Sequence, residues 1–172
     1  MIKAICFDLD GVYFTEQGKK AFHQNLVQLV GDEVRVSDFL YKSPEMHSFV
    51  TGKISEPEFW SAARAKLGVA LSDKEFRDLW VKEYQIDQDV RDFVLEVKSK
   101  GYKTCICSNN NPARITALEE KFHFLNDFDV RIFSYETGFT KPAKEIFQAL
   151  IDESQVQASE LVYADDNPER IA

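Results

Sequence analysis

The stretch Ile2–Gly11 reads IKAICFDLDG, an apolar run followed at once by the acids Asp8 and Asp10. Apolar residues without polar alternation are typical of a strand that is covered on both faces, as in a parallel sheet. In open parallel sheets the ligand site lies beyond the carboxyl ends of the strands. The stretch therefore predicts a first strand over residues 2–8, with two carboxylates at the edge of the sheet where a ligand would bind.

Three more runs of this kind follow along the chain, at residues 102–107 (YKTCIC), 129–133 (DVRIF) and 161–165 (LVYAD). Helical patterns separate the runs, at residues 89–100, 111–122 and 142–151. Strands that alternate with helices predict a parallel sheet with helices on its faces. We therefore expect an α/β fold of the Rossmann-like type.

About 90 residues lie between the first two predicted strands, far more than one crossover connection needs. Apolar residues recur at helical spacing in this segment, which also contains two capping boxes, at residues 55–58 (SEPE) and 72–75 (SDKE). We expect an all-helical cap domain at residues 15–88, inserted into a core that comprises residues 1–14 and 89–172.

Composition excludes several classes of partner. The net charge is −8, from 21 basic and 29 acidic residues, whereas nucleic-acid binding needs a basic face. No apolar run approaches the ~20 residues of a membrane span, and the first apolar stretch is too short and too soon charged to be a signal peptide. The three cysteines lack C-x-x-C spacing, which favours buried, reduced thiols. We expect a cytoplasmic protein without a membrane or nucleic-acid partner.

Polar clusters stand at the ends of all four predicted strands. They are Asp8 with Asp10, Ser108 with Asn109 and Asn110, the segment Gly138–Pro142, and Asp165 with Asp166 and Asn167. Crowded carboxylates repel one another unless a cation or a proton intervenes, and hard oxygen ligands without thiolates favour Mg²⁺ over Zn²⁺. Lys141, Ser108 and Asn109 would hold phosphate oxygens. The clusters therefore predict a site for Mg²⁺ and a phosphate group.

These motifs resemble a known family. F-D-L-D-G-V at residues 7–12, the serine after strand two, G-x-x-K-P at residues 138–142 and the acidic pair after strand four match, in order, the four motifs of the haloacid dehalogenase superfamily. The runs G-K-I-S, C-S-N-N-N, T-K-P-A-K-E-I-F and A-D-D-N-P-E are similar to its sugar-phosphate phosphatases, the relatives of glucose-1-phosphatase and of the phosphatase domain of soluble epoxide hydrolase. The resemblance implies a helical cap of the first type.

The resemblance also implies a role for each matching residue. Asp8 is the nucleophile, which attacks phosphorus and forms an aspartyl phosphate. Asp10 is the general acid for the leaving alcohol and then the base for the hydrolytic water. Lys141 and the metal would lower the pKa of Asp8. Mg²⁺ takes the Asp8 carboxylate, the Asp10 backbone carbonyl and Asp166, and Asp165 supports these ligands without binding the metal itself.

Asp10 discriminates between activities within this family. Dehalogenases lack an acid at this position because halide leaves without a proton, so the resemblance implies a Mg²⁺-dependent phosphatase acting on small, sugar-phosphate-like monoesters. A phosphomutase stays open because it needs the same core, as does a non-catalytic or truncated binding protein. A signalling receiver domain shares the acids, hydroxyl and lysine but has no long insertion after its first strand. The sequence does not name the substrate.

The family resemblance implies a strand order of 3-2-1-4-5, but the chain ends at Ala172, before a fifth strand. We therefore expect an order of 3-2-1-4 with the fifth strand missing. The run 161–165 would then be an exposed apolar edge, and such edges recruit other chains. We expect self-association through this fourth strand.

Overall fold

The fold is a four-stranded parallel sheet with an inserted set of helices, seen in a computed structural model that describes residues 1–170. The strands are β1 (Ala4–Phe7), β2 (Lys103–Ser108), β3 (Val130–Phe133) and β4 (Leu161–Ala164). They are hydrogen-bonded in the order β3-β2-β1-β4. The predicted α/β class and the predicted strand order are confirmed.

Both faces of the sheet are buried, which explains why its strands are apolar without alternation. Phe7, Ile106 and Phe133 pack into one hydrophobic cluster, together with residues of the inserted helices. The opposite face carries the three cysteines with Val130 and Ile132. All three cysteines are free, and burial raises the pKa of Cys105 and Cys107 to about 12, as expected for reduced structural thiols.

Of the six helices between β1 and β2, five lie in the inserted segment. They are α1 (Glu16–Val30), α2 (Glu33–Lys42), α3 (Pro44–Val50), α4 (Glu56–Leu67) and α5 (Asp73–Val81). Both predicted capping boxes form, since Glu58 accepts a hydrogen bond from the Ser55 amide and Glu75 accepts one from the Ser72 amide, each at 2.8 Å. These helices lie inside the predicted cap at residues 15–88, whose domain boundaries stay a prediction.

Four helices follow within the remaining described residues, up to residue 170: α6 (Gln88–Ser99), α7 (Pro112–Phe122), α8 (Ser134–Thr137) and α9 (Lys144–Ser154). Short 3₁₀ turns stand at Phe124–Asp127, Ala158–Glu160 and Pro168–Arg170. Helix α7 begins as predicted, since the side chain of Asn111 accepts a hydrogen bond from the Arg114 amide at 3.0 Å. Helix α9 begins two residues later than the sequence suggests, because the Ala143 amide first closes a turn onto the Thr140 carbonyl at 2.9 Å.

Aromatic rings hold the five inserted helices together. Phe49 stacks on Phe59 with ring centroids 4.3 Å apart, Trp60 stacks on Phe76 at 4.6 Å, and Phe22 stacks on Trp80 at 4.6 Å. Aromatic side chains bury more apolar area than any other type, so they can supply much of the stabilisation of a small helical layer. We refer to the helices α1–α5 with their connections as the insertion.

The two segments that join the insertion to the core run side by side. The Thr15 amide donates to the Gln85 carbonyl at 2.9 Å, and the Asp87 amide donates to the Tyr13 carbonyl at 3.0 Å. A third contact comes from the serine that opens α8, since the Ser134 hydroxyl donates to the Val50 carbonyl at 2.6 Å. Backbone hydrogen bonds therefore join the segment that enters the insertion to the segment that leaves it.

Strand β4 forms one edge of the sheet within residues 1–170, where it pairs with β1 on one side. Val162 on this strand is 45% exposed. Self-association through this edge stays a prediction. No helix in the described part of the chain is long and apolar enough to cross a membrane.

We expect Phe49→Ala to destabilise the protein by about 3–5 kcal/mol, because Phe49 is completely buried and its removal leaves a cavity in the aromatic cluster. Urea unfolding followed by fluorescence measures this loss. Val34→Ala is the control, since Val34 is 71% exposed and its truncation should change the unfolding free energy by less than about 0.5 kcal/mol. Equal effects of the two substitutions would contradict the packing role of Phe49.

Candidate active site

The carboxyl ends of β1, β2 and β4 open onto a cavity of about 400 Å³. Five of the six predicted site residues line it, namely Asp8, Asp10, Ser108, Asn109 and Asp166. The insertion covers the cavity with mostly apolar side chains, including Phe22, Leu40, Met46 and Trp80, and with the ammonium of Lys19. The sixth predicted residue, Lys141, does not line the cavity but contacts Asp8 from the protein interior.

Asp8 lies directly after β1 and is buried. Its Oδ1 accepts a hydrogen bond from the Leu9 amide at 2.7 Å, and its Oδ2 lies 3.0 Å from Lys141 Nζ and 3.2 Å from an Arg170 guanidinium nitrogen. Burial raises the pKa of the Asp8 carboxyl, and the charge of Lys141 opposes this effect. Lys141 thus acts in the expected direction but does not outweigh burial, which the sequence pattern did not show. The expected lowering of this pKa by the lysine and a metal together stays a prediction.

Lys141 joins two acids that come from different strands. Its side chain is fully buried, and Nζ lies 3.0 Å from Asp8 and 2.7 Å from Asp165. It also donates a hydrogen bond to the Tyr163 hydroxyl at 2.7 Å. Burial alone would raise the pKa of Asp165, but hydrogen bonds from Lys141, Tyr163 and the Asn167 amide lower this pKa to about 2. Asp165 is therefore ionised and well supplied with donors.

The two predicted phosphate ligands after β2 differ in their contacts. Ser108 is buried at the strand end and lines the cavity. The Asn109 side chain is engaged with the backbone of Lys141, since its Oδ1 accepts from the Lys141 amide at 2.7 Å and its Nδ2 donates to the Lys141 carbonyl at 3.2 Å. Asn109 thus fastens the loop that carries the lysine, and phosphate binding by Ser108 and Asn109 stays a prediction.

Three carboxylates meet at the carboxyl ends of β1 and β4. Asp8, Asp165 and Asp166 each place one oxygen so that these atoms all lie within 4.8 Å of one another. Gly11, at φ +81°, allows Asp166 this position, because a Cβ at Gly11 would stand 2.4 Å from Asp166 Oδ2. Grouped carboxylate oxygens are the donor set that Mg²⁺ prefers, so the residues fit a hard divalent cation. Asp166 is exposed to the cavity side, whereas Asp165 already accepts from Lys141.

Asp10 is bound by two side chains that the sequence pattern did not single out. Its Oδ2 lies 2.8 Å from Arg114 Nη2, and its Oδ1 accepts a hydrogen bond from the Tyr84 hydroxyl at 3.0 Å. Arg114 also donates to Asn110 Oδ1 at 2.7 Å and lies over the Trp80 ring. Asp10 is thus held between helix α7, which carries Arg114, and the end of the insertion, which carries Tyr84.

The model of one protein family, described as haloacid dehalogenase-like hydrolase, matches residues 2–172. The chain belongs to this family. The resemblance stated from the four motifs is confirmed. In this haloacid dehalogenase-like hydrolase three of the motifs reach one cavity, and the other places Lys141 behind Asp8.

Two curated relatives and one solved structure illustrate the relationship. A D-ribitol-5-phosphate phosphatase of Bacteroides thetaiotaomicron is 30% identical over 178 residues, covering 99% of this chain and 86% of that protein. A bifunctional epoxide hydrolase 2 of Sus scrofa is 28% identical over 99 residues, covering 55% of this chain and 18% of that protein. A HAD family enzyme of Bacteroides thetaiotaomicron, in complex with magnesium and inorganic phosphate, superposes with a TM-score of 0.82 at 23% identity, covering 99% of this chain and 87% of that chain.

The structural likeness at this identity shows a shared fold. The chain spans between 15% and 86% of the length of the curated relatives that it matches. What those proteins bind or act on is therefore a guide to experiments on this haloacid dehalogenase-like hydrolase.

Four residues of the site escaped the sequence analysis: Tyr84, Arg114, Tyr163 and Arg170. Each is a single aromatic or basic residue outside the four motifs, and nothing in its local spacing marks it. Arg114 offered the best signal, because it lies in the first turn of the helix after β2. That helix begins near the carboxyl ends of the strands, where ligands bind in such sheets. Tyr84 offered none, since it lies in a loop after α5 whose path only the folded insertion determines.

We expect Lys141→Met to destabilise this hydrolase at pH 7 by about 3–5 kcal/mol, because it removes the buried cation that Asp8 and Asp165 share and leaves them with the partly exposed Arg170. The deficit should shrink as the pH falls from 7 towards 4, because burial without the lysine raises the pKa of both acids in the variant, so that they become protonated in the folded state first. In the wild type, the stabilisation from Asp165 is present above pH 4 and is lost between pH 4 and about 2, where its native pKa lies.

Urea unfolding midpoints of both proteins between pH 7 and pH 3 measure this difference. Lys42→Met is the matched control, because the Lys42–Asp38 pair is exposed and its loss should cost less than about 1 kcal/mol. A deficit of Lys141→Met that stays constant with pH would contradict the assigned ion pairs.

Proposed function

We propose that the protein is a Mg²⁺-dependent phosphatase that hydrolyses small phosphate monoesters, with sugar or polyol phosphates as the first candidates. The observation that carries the proposal is the placement of two carboxyl groups, Asp8 and Asp10, on one cavity, with a buried lysine behind the first and a cluster of acids beside it. The D-ribitol-5-phosphate phosphatase among the relatives supports this class of substrate. A cytoplasmic location belongs to the same proposal.

The reaction that we propose has two steps. An Asp8 oxygen forms a bond to phosphorus as the bond to the leaving-group oxygen breaks, and Asp10 passes its proton to that oxygen. Water then attacks the aspartyl phosphate while Asp10 accepts a proton from it, so that phosphate leaves and both carboxyl groups return to their starting forms. Lys141 supplies a fixed positive charge beside Asp8, where the transferring group gains negative charge.

The residues suited to hold the metal are Asp8, the Asp10 backbone carbonyl and Asp166, with Asp165 behind them in contact with Lys141. A bound Mg²⁺ would neutralise phosphoryl oxygens and reduce repulsion between the entering phosphate and these acids. Ser108 would hold a phosphate oxygen at the end of β2. The apolar covering from the insertion would exclude water from the reacting groups.

Asp8→Asn is expected to abolish turnover, because the amide keeps the shape of the side chain and removes the nucleophilic charge. Release of inorganic phosphate from p-nitrophenyl phosphate measures activity, and a circular dichroism spectrum checks the fold. Asp38→Asn is the matched control, since Asp38 is exposed and pairs with Lys42 on the surface of the insertion. Retained activity in folded Asp8→Asn would rule out the covalent route.

Removal of divalent cations by EDTA is expected to abolish activity, and added Mg²⁺ should restore it. Ca²⁺ should inhibit, because it takes more oxygen ligands at longer distances and would bind both oxygens of Asp8. Steady-state rates after dialysis, with each cation added alone, measure these effects. Full activity in excess EDTA would exclude a metal requirement.

A further inference from the structure

Gly18 and Tyr84 are in unusually close contact. Gly18 lies within helix α1, where glycine is a poor helix former, and a Cβ at this position would stand 2.4 Å from Tyr84 Cδ2 and 2.9 Å from Tyr84 Cα. Any larger residue at position 18 would therefore push the tyrosine away. The close contact holds the Tyr84 side chain, which is 1% exposed, against the start of the insertion.

The hydrogen bonds of the Tyr84 hydroxyl have a defined direction. Arg114 Nη1 lies 3.1 Å from this oxygen and can act only as a donor, so the hydroxyl oxygen accepts from it. The one hydroxyl proton is then free to point to Asp10 Oδ1, 3.0 Å away. Because Arg114 Nη2 contacts the other oxygen of the same carboxyl at 2.8 Å, Asp10 is held at both oxygens.

We infer that Tyr84 is a positioning residue for Asp10, and that Gly18 makes this position possible. The inference rests on the proposed phosphatase function, in which Asp10 gives its proton to the leaving-group oxygen as the phosphorus–oxygen bond breaks. Tyr84 keeps its own proton through both steps, and of the two carboxyl groups proposed for catalysis its hydroxyl contacts that of Asp10. Its hydroxyl restricts rotation of the carboxyl, so that a larger share of molecules has the acid aligned with the leaving group.

Tyr84 and Gly18 both lie within the predicted cap at residues 15–88, whereas Asp10 and Arg114 lie in the predicted core. The orientation of the acid therefore depends on how the insertion sits on the sheet. A shift of helix α1 would move Tyr84 and loosen Asp10, even though neither Gly18 nor Tyr84 is required to contact substrate. The structure thus links the placement of the insertion to proton transfer.

Tyr84→Phe tests the inference because it removes only the hydroxyl. Two substrates are compared: p-nitrophenyl phosphate, whose leaving group needs little protonation, and the best alkyl phosphate found among sugar and polyol phosphates, including ribitol 5-phosphate. We expect kcat for the alkyl phosphate to fall roughly tenfold, the effect of one buried hydrogen bond, with KM unchanged. The kcat for p-nitrophenyl phosphate should stay within about twofold of the wild-type value, since the acid contributes little there.

Tyr13→Phe is the matched control. Tyr13 is also buried, and its hydroxyl donates to the Asp127 carboxylate away from the cavity lining. Loss of this hydroxyl should leave the ratio of the two kcat values unchanged, even where stability falls. An equal loss on both substrates in Tyr84→Phe, or no loss on either, would overturn the inference.

Gly18→Ala is a second variant, which disturbs the position of Tyr84 by changing the glycine that packs against it. We expect it to lower alkyl phosphate turnover selectively, as in Tyr84→Phe, because the added methyl group displaces the tyrosine ring. Folded Gly18→Ala with the wild-type ratio of the two kcat values would overturn the role of Gly18. If the wild-type protein with Mg²⁺ hydrolyses neither substrate, the proposed function itself fails, which separates that failure from a failure of the inference.

Discussion

The site depends on one buried cation, Lys141, which lies between the carboxylates of Asp8 and Asp165. These acids follow neighbouring strands, so parallel pairing of β1 with β4 brings them together whatever their mutual repulsion. Two carboxylates in a dry interior cannot both stay ionised without a compensating charge. The lysine supplies that charge from the interior and the partly exposed Arg170 adds a second contact to both acids. Asn109 fastens the loop of the lysine to the end of β2. The bottom of the cavity is therefore a single electrostatic unit assembled from three strand ends and the loop after β3.

The insertion covers this group of charged residues on the cavity side. Its own core is a set of stacked aromatic rings, and its connecting segments are hydrogen-bonded to each other. It contributes the apolar covering of the cavity and, through Tyr84, a hydrogen bond to Asp10. The two carboxyl groups proposed for catalysis thus have different supports: Asp8 is held by the core, and Asp10 is held jointly by the core and the insertion.

The haloacid dehalogenase-like fold and most of the candidate site could be predicted because their signals are local. Short apolar runs mark the strands, capping boxes mark α4 and α5, and parallel sheets place strand-end residues at one edge. Asp8, Asp10, Ser108 and Asp166 therefore reached one cavity as expected. The start of α9 was misplaced because a turn at Thr140–Ala143 precedes the helix, and proline position alone does not distinguish the two.

The class of fold, the order of the motifs along the sheet and the types of side chain at its edge can be read from the sequence, because each depends on the hydrophobic period and the end signals of individual segments. The pairing of those side chains depends on the tertiary structure. Arg114 and Tyr84 reach Asp10 from segments 104 and 74 residues away along the chain, and burial rather than residue type raises the pKa of Asp8. Such contacts arise where the insertion packs onto the sheet. The desolvation of a group depends on all the residues that surround it in the fold. A local sequence pattern therefore predicts neither the contacts nor the pKa shift.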